Sequence, residues 1–143
     1  MEYQPTQSKV MFSIRLLTDD DYPTLEKWWK FWKFTAPPKE YLPDYGRGGI
    51  MVTKDGIDIC AGFLFFTNSK MAWLEFIVSN NEYKQKDRKQ AIQFLINELT
   101  QIANIKGFKV VFTSLKNENL KKHFIECGYS IGSQNTTELI IQL

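Results

Sequence analysis

The sequence predicts an α/β fold with a central mixed β-sheet, and three observations lead to that prediction. The apolar patterns run in the order strand, helix, three-strand meander, helix, strand, helix and two strands. Asp55-Gly56 between two apolar runs is typical of a tight hairpin, which joins antiparallel strands. A long amphipathic helix then leads into another buried strand, and such a crossover joins parallel strands. A mixed sheet of about six to seven strands, flanked by helices, accommodates all three observations.

The first half of the chain is predicted to contain one strand and one helix. Residues 11–16 alternate between apolar and polar side chains, which is the strand period. Thr18 offers an N-cap hydroxyl with Asp21 three residues later, and the helix is expected to run to about Phe34, before a Pro-Pro pair. One face of this helix carries the side chains expected to face the core, namely Tyr22, Leu25, Trp28, Trp29 and Trp32.

The second half supplies the rest of the sheet. The meander strands are predicted at 50–54, 58–67 and 71–79. A helix over 86–106 ends at Gly107, a typical C′ glycine, and a buried strand follows at 108–115. A short helix over 119–127 and strands at 129–131 and 138–142 complete the chain.

Length and composition indicate one globular domain. The 143 residues, of which 43% are hydrophobic, provide enough apolar surface for one core. We expect a domain over residues 11–143, preceded by a polar tail at 1–10 without a signal-peptide core. No apolar run reaches the roughly 20 residues of a membrane span.

Charge and cysteine content narrow the function classes. The net charge is only +2, which is too small to indicate a nucleic-acid partner from total charge alone, and we do not expect one. Two cysteines and one histidine cannot form a zinc cluster or a histidine-rich centre, so no metal is expected. Cys60 and Cys127 do not resemble a secreted disulfide framework, so we expect a reducing, cytoplasmic location. We expect both cysteines to be small buried hydrophobic residues.

The stretch from Val78 to Tyr129 carries the most specific pattern. Its parts are Phe76-Ile77-Val78-Ser79, Lys86-Asp87-Arg88-Lys89-Gln90-Ala91, Val110-Val111-Phe112, Asn117 and Cys127-Gly128-Tyr129. This order resembles the GNAT superfamily, the Gcn5-related N-acetyltransferases, over residues 12–143. The short, aromatic-rich first half is similar to the small GNAT-like proteins of tailed phages, which would place the protein in a host cytoplasm.

The resemblance implies an acetyl-CoA site. The pantetheine arm would bond to the backbone of Ile77 and Val78, and the pyrophosphate would lie at the N-terminus of the long helix, where the dipole favours anions. The cofactor-binding residues implied in this way are Lys86, Arg88, Lys89, Gln90, Ala91, Asn117 and Phe124. Lys89 stands where the family has glycine. The alternatives are a solvated helical turn for the basic residues and a simple helix N-cap for Asn117.

Glu75 is the candidate general base. It is the one carboxylate of the strand over 71–79, and it is predicted to share a strand face with Trp73, Ile77 and Ser79. Burial beside these apolar groups would raise its pKa, as suits a base. The alternative is a strand-edge glutamate paired with a lysine.

Two further catalytic groups follow from the resemblance. The backbone N–H of Ile77 or Val78 would stabilise the oxyanion. Phe124 stands where the family often has a tyrosine that acts as the general acid on the departing thiolate. Tyr129 or water would therefore have to supply the proton for the thiolate. His123 points about 100° away from Phe124 on a helix, and we interpret it as a surface residue.

An aromatic-rich segment over residues 28–34 precedes the meander. Its tryptophans match one helical face, whereas Phe31 and Phe34 do not. The residues expected to line an acceptor pocket are Phe31, Phe34, Tyr41, Tyr45 and Trp73. The same aromatic residues could instead form a dimer or partner surface, or stack on single-stranded nucleic acid.

The sequence therefore favours an acetyl-CoA-dependent N-acetyltransferase that moves an acetyl group to a primary amine by direct attack. The acceptor is a small molecule or a protein amine, and a homodimer is compatible with this prediction. The alternative is a non-catalytic GNAT-fold protein that binds CoA, a protein or a nucleic acid. The glycine missing at Lys89 and the tyrosine missing at Phe124 both support that alternative.

Overall fold

The structure is a computed structural model that describes residues 12–143, and it has a five-stranded mixed sheet with helices on both faces. The strands lie in chain order across the sheet, with β1 to β4 antiparallel and β5 parallel to β4. They are β1 (Ser13–Leu16), β2 (Gly49–Lys54), β3 (Ile57–Phe66), β4 (Met71–Ser79) and β5 (Val110–Phe112). The helices are α1 (Tyr22–Phe31), α2 (Arg88–Ile105) and α3 (Glu118–Glu126), with two short 3-10 turns between α1 and β2. The predicted α/β class with a mixed sheet is confirmed.

Each face of the sheet buries its own apolar core. On one face, Leu25, Trp28 and Trp29 of α1 pack against Met51, Ala61, Phe63 and Val78. On the other face, α2 contributes Ala91, Leu95, Ile96, Leu99 and Ala103, and α3 contributes Phe124. The alternation of strand side chains between two covered faces explains why the central strands β2 and β3 are almost continuously apolar.

The structure confirms the turn between β2 and β3. Asp55 and Gly56 both have positive φ, at 51° and 75°, as the type of turn that suits twisted antiparallel strands requires.

The helices of residues 12–143 were compared with the length and hydropathy of a membrane span, and none of them reaches both.

Helix α1 is shorter than predicted at both ends. Asp21, not Thr18, is the N-cap residue, and its Oδ2 accepts hydrogen bonds from the backbone N–H and hydroxyl of Thr18. At the other end, Lys33 adopts a left-handed conformation and Phe34 N donates to Trp29 O at 2.9 Å. This Schellman-type closure stops the helix before Phe34, without help from the prolines.

An ion cluster joins the start of α1 to β1 and β3. The guanidinium of Arg15 donates to both carboxylate oxygens of Asp21, at 2.8 and 2.9 Å, and to Asp58 Oδ2 at 3.0 Å. Asp21 is only 7% exposed. The hydrogen bond from Arg15 is the main cause of the lowered pKa of Asp21.

We expect Asp21→Asn to lower the free energy of unfolding by about 2 kcal/mol at neutral pH, because it weakens charge-assisted hydrogen bonds at a buried site. The pKa of Asp21 is lowered on folding, so its contribution is complete above the unfolded pKa and is lost as pH falls through the folded pKa. The stability gap between wild type and variant should therefore close in acid. Urea unfolding at pH 7 and pH 3 measures this. Asp19→Asn, at a carboxylate 64% exposed, is the control; an equal loss in both variants would contradict the assignment.

The prediction of six to seven strands is wrong at the C-terminal end. Residues 129–131 and 138–142 form no strand, and the strand predicted at 108–115 is confined to Val110–Phe112. No strand formed by residues 12–143 pairs with the outer edge of β5. The tail predicted at residues 1–10 and the first residue of the strand predicted from 11 lie outside the described residues.

Candidate active site

The parallel strands β4 and β5 separate part of the way along the sheet. They pair through Met71 with Val110, Ala72 with Val111 and Trp73 with Phe112. Beyond that last pair β5 ends, whereas β4 continues to Ser79. The edge of β4 from Leu74 onward therefore faces a gap, and no strand of the described chain pairs with it on that side.

A β-bulge distorts β4 where it borders this gap. Glu75 pairs with Phe63 and Val78 with Ala61, so two β4 residues stand opposite Gly62. Phe76 has φ of 60°, and a Cβ on Gly62 would lie 3.1 Å from Ile77 Cγ1, which explains the glycine opposite the bulge.

The bulge overturns the predicted side-chain alternation. Phe76 packs into the core on the α1 face, whereas Ile77 packs into the core on the α2 face. Trp73 and Glu75 stand opposite Phe65 and Phe63, which belong to the α1-face core. Glu75 therefore shares a face with Trp73 but not with Ile77 or Ser79, because the extra residue reverses the alternation between them.

The Glu75 carboxylate spans the gap between β4 and the segment after β5. Its Oε1 accepts hydrogen bonds from Trp73 Nε1 at 3.0 Å and from Ser114 N at 2.9 Å. Desolvation by burial raises the pKa of Glu75, and the hydrogen bond from Ser114 opposes that rise. The hydrogen-bond partners of Glu75 thus include the Trp73 indole, the Ser114 backbone amide and the Thr113 side chain, and not the lysine of the alternative interpretation.

Several aromatic rings lie on the α1 side of the sheet that carries Glu75. Trp73 and Phe112 form the last residue pair between β4 and β5, and their ring centroids are 4.3 Å apart. Phe76 contacts Phe34 and Phe65, with centroid distances of 6.4 and 6.0 Å. Two residues of the predicted acceptor pocket, Phe34 and Trp73, therefore lie on the side of the sheet that carries Glu75.

The other predicted acceptor residues lie elsewhere on the surface. Phe31 is 55% exposed and packs edge-on against Trp32. Tyr41 and Tyr45 are also exposed, and the Tyr45 ring lies 6.0 Å from the ammonium of Lys39. The structure does not place these three side chains against Glu75.

A polar cluster that the sequence did not indicate closes the far end of β4. The indole of Trp32 donates to Ser79 O at 2.9 Å, and Arg88 Nη2 donates to Ser79 Oγ at 2.8 Å. The Arg88 guanidinium also lies over the Trp32 ring, 4.9 Å from its centroid. Trp32, predicted to be a core residue, is 44% exposed and links α1 to the end of β4. Trp32 is the C-cap residue of α1, and its spacing from Trp28 and Trp29 does not predict this hydrogen-bond partner.

The N-terminus of α2 is basic and largely exposed. Lys86 precedes the helix, and Lys89 and Gln90 lie exposed in its first turn. Lys89 forms an ion pair with Glu126 of α3 at 3.4 Å. Ala91, by contrast, is completely buried in the core.

The side chain of Asp87, the N-cap residue of α2, does not point towards the free N–H groups at the start of that helix. The side chain of Asp87 accepts from Lys54 and from the hydroxyl of Tyr83, and makes no capping hydrogen bond. The hydrogen bond from Lys54 is the first cause of the lowered pKa of Asp87. An acidic residue therefore stands at this helix start without placing its carboxylate on the helix N–H groups.

Asn117 and Phe124, two of the implied cofactor-binding residues, and Tyr129 all make structural contacts within the protein. Asn117 is the N-cap of α3 and accepts from Leu120 N at 2.9 Å. Phe124 is 3% exposed and packs edge-on against Tyr129. The Tyr129 hydroxyl lies 2.6 Å from Thr100 Oγ1 on α2, and burial raises its pKa.

His123 and the cysteines lack the surroundings of catalysts. His123 lies near Gln93 of α2, and burial lowers its pKa. Desolvation raises the pKa of Cys127 to about 11, and Cys60 is fully buried, so both thiols stay protonated at neutral pH. Among residues 12–143 no three His, Cys, Asp or Glu side chains are grouped as a metal site.

The fold is that of known acetyltransferases. N-acetylglutamate synthase from Neisseria gonorrhoeae, complexed with coenzyme A and L-arginine, superposes with a TM-score of 0.70 at 16% identity over 89% of this chain and 29% of its own. The ribosomal-protein-S18-alanine N-acetyltransferase from Escherichia coli gives 0.68 at 16% identity, over 86% and 80% of the two chains. An aminoglycoside acetyltransferase from an uncultured soil metagenomic sample, in complex with sisomicin, gives 0.60 at 14% identity, over 92% and 96%.

These likenesses define a class by its architecture. The molecule has the GNAT acetyltransferase fold, as its element order predicts, with five strands in its sheet. At the level of sequence it matches no protein-family model and no curated protein. The likeness to small phage proteins stays a prediction.

Proposed function

We propose that this protein is an acetyl-CoA-dependent N-acetyltransferase that acts on a primary amine. The observation that carries the proposal is Glu75, a carboxylate with a raised pKa at the point where β4 and β5 separate. A raised pKa makes this carboxylate a stronger base towards an ammonium group than an ordinary glutamate. The fold likeness to acetyltransferases supports the same reaction class.

The chain's groups have distinct tasks in this proposal. Acetyl-CoA supplies a thioester whose acyl carbon reacts with an amine. Glu75 takes the proton that the amine must lose, directly or through water. The backbone N–H of Ile77 or Val78 donates to the acyl oxygen as negative charge develops on it. Since Phe124 has no exchangeable proton and the Tyr129 hydroxyl is bonded at Thr100, solvent supplies the proton for the departing thiolate.

The unpaired edge of β4 supports the fit of a pantetheine arm. From Leu74 onward, β4 presents backbone groups to the gap, where an extended amide-containing chain can bond as an added strand would. Lys86, Lys89 and Gln90 lie at the α2 N-terminus, where the helix dipole favours phosphates. Arg88, held by Ser79 and Trp32, would take part only through donors other than Nη2.

The surroundings of Glu75 favour a cationic acceptor of modest size. The Trp73 indole bonds to the carboxylate, and Phe34 and Phe76 form a ring pair on the same side of the sheet; aromatic faces attract ammonium groups. An amine would thus be held as a cation by the rings and deprotonated by Glu75. We propose Phe34 and Trp73 as acceptor residues, while Phe31, Tyr41 and Tyr45 would contact only the outer part of a large acceptor.

Calorimetric titration with acetyl-CoA tests the cofactor site. We expect Lys86→Ala/Lys89→Ala to weaken binding about tenfold or more, because two cations near the phosphates are lost. Lys27→Ala/Lys30→Ala, which removes two exposed lysines of α1, is the matched control and should leave affinity unchanged. Equal affinity in wild type and the double variant at 86 and 89 would contradict this site.

A non-catalytic CoA-binding protein is the second candidate. Two observations favour it. The buried Phe124 cannot act as a general acid on the departing thiolate, and Lys89, which forms an ion pair with Glu126, replaces the glycine that would bind phosphate. Acetyl-CoA binding without release of CoA thiol, across a panel of amines, would support this candidate over the enzyme.

A further inference from the structure

An open groove lies between α1 and the segment that follows it. Phe34 N donates to Trp29 O at 2.9 Å and the Tyr22 hydroxyl donates to Pro37 O at 2.7 Å, so residues 34–37 return alongside the helix. The groove between helix and returning segment has a volume of about 590 Å³. Its charged and aromatic lining residues are Lys27, Lys30, Lys33, Glu26 and Phe34.

The groove carries positive charge that the protein does not neutralise. All three of its lysines are exposed, and none of them forms an ion pair with a carboxylate of residues 12–143. Lys39 and Lys89, by contrast, pair with Asp19 and Glu126. Three ammonium groups around one groove, with a single carboxylate among them, attract an anionic ligand.

Lys33 has an unfavourable backbone conformation at this groove. It follows Trp32, the C-cap residue of α1, and its φ is 59°. Glycine is the usual residue at such a position, because a side chain disfavours the left-handed conformation. A lysine there is less stable than glycine but adds a third ammonium group to the groove. A strained residue that lines a groove indicates a functional constraint.

One ring connects the groove with the face of the sheet that carries Glu75. Phe34 lines the groove and packs edge-on against Phe76, with centroids 6.4 Å apart. Phe76 follows Glu75 in β4 and packs into the core on the α1 face, the face on which Glu75 lies. The groove and the candidate base therefore belong to the same side of the molecule.

We propose that the acceptor is a short acidic peptide, with its amine at Glu75 and its carboxylates on Lys27, Lys30 and Lys33. This inference rests on the proposed acetyl transfer. The amine end is the cation that Glu75 and the aromatic rings favour, and the negative charge lies further along the peptide. Transfer forms an amide bond at the peptide nitrogen and breaks the thioester carbon–sulfur bond. The ammonium proton passes to Glu75, and a solvent proton passes to the thiolate.

A peptide fits these groups better than a nucleic acid does. A nucleic acid has phosphates for the lysines but no aliphatic primary amine to acetylate. Its evenly charged backbone would also meet Glu26 within the groove, whereas a peptide can place an uncharged residue there. The Phe34 ring offers a contact for an apolar side chain of such a peptide.

Fluorescence anisotropy measures binding without requiring turnover. The probe is a short peptide that begins with alanine, continues with aspartates and carries a C-terminal fluorophore; in the reference peptide serines replace the aspartates. We expect the acidic peptide to bind at least about tenfold more tightly than the reference, and Lys27→Glu/Lys30→Glu to remove that difference. Lys70→Glu/Lys109→Glu, at two exposed lysines before β4 and β5, changes the net charge equally and should keep the difference. Equal affinity for the two peptides, or an equal loss in both double variants, would overturn the proposal.

Lys33→Gly separates ligand binding from stability. Glycine adopts the left-handed conformation without strain, so the thermal midpoint should stay the same or rise. Affinity for the acidic peptide should nevertheless fall about threefold or more, because one ammonium group is lost. Unchanged affinity in Lys33→Gly would overturn the proposed role of this lysine.

Thiol release with the same two peptides separates this inference from the proposed function. We expect a higher kcat/KM with the acidic peptide. Lys27→Glu/Lys30→Glu should raise the KM for that peptide, with kcat and the KM for acetyl-CoA nearly unchanged. Thiol release without preference for the acidic peptide would overturn this inference and leave the proposed function standing. Lysine-dependent peptide binding without thiol release from any amine would instead refute the acetyl transfer.

Discussion

Replacing Glu75 by Gln is expected to lower kcat of acetyl transfer about 100-fold or more, the usual effect of removing a general base. The Gln side chain keeps the shape, and its Oε1 can still accept from Trp73 and Ser114. The KM for acetyl-CoA should change less than about threefold, because the substitution removes proton transfer and not a binding contact. Thiol release with a panel of amines, including amino acids, an N-terminal alanine peptide and aminoglycosides, measures the rate.

The pH profile distinguishes a base from a positioning role at this residue. The pKa of Glu75 is raised, so the wild-type rate should increase with pH while the carboxylate deprotonates and then level off. Glu75→Gln should lose that limb of the profile. Glu118→Gln, at an exposed carboxylate on α3, is the control and should retain both rate and profile. An unchanged profile in Glu75→Gln would exclude Glu75 as the base.

Trp29→Ala is expected to cost about 3–5 kcal/mol of stability, the largest loss we predict for a single substitution. Trp29 is 2% exposed and is the largest of the fully buried side chains. Its ring packs against Phe63, with centroids 6.5 Å apart, and edge-on against Phe76, 6.4 Å away. Removing it leaves a cavity beneath the bulge of β4. Urea unfolding followed by far-ultraviolet circular dichroism measures the loss without relying on tryptophan fluorescence.

Trp29→Phe provides the matched comparison. The indole Nε1 of Trp29 is buried and has no hydrogen-bond partner among the described residues. A phenyl ring fills part of the same space and removes this unpaired donor, whose burial is unfavourable. We expect Trp29→Phe to lose much less stability than Trp29→Ala, within about 1.5 kcal/mol of wild type. Equal losses in the two variants would show that the packing of the ring is not what matters.

Local sequence patterns were sufficient for most of the fold. The meander strands follow from their apolar patterns. The turn at Asp55-Gly56 follows from two residue types that tolerate positive φ, which both adopt in the structure. The cap glycine Gly107 was visible in the same way, and its φ is 91°. Each of these features depends on residues close together in the chain, which is why the sequence alone indicates them.

Features that depend on pairing between distant segments were not predictable. The bulge at Phe76 arises from the register of β4 against β3, and it reversed the predicted face of Ile77. The bond from Trp32 to Ser79 O joins residues 47 positions apart. The missing C-terminal strands have the same origin, because the pattern at 138–142 is strand-like but no strand of residues 12–143 pairs with it. A strand pattern specifies a propensity, and only a partner edge turns it into a strand.

The short β4–β5 ladder also determines how the molecule opens. Only three residue pairs connect β5 to the rest of the sheet, and several of the contacts between α3 and α2 are exposed polar bonds such as Gln93 to Glu126. The unit from β5 through α3 should therefore open at a lower free energy than the β2–β3–β4 meander, as a separate cooperative unit. A ligand in the gap would contact both units at once. Ligand binding would therefore raise the free energy needed to open the unit from β5 through α3, and ligand release would lower it again.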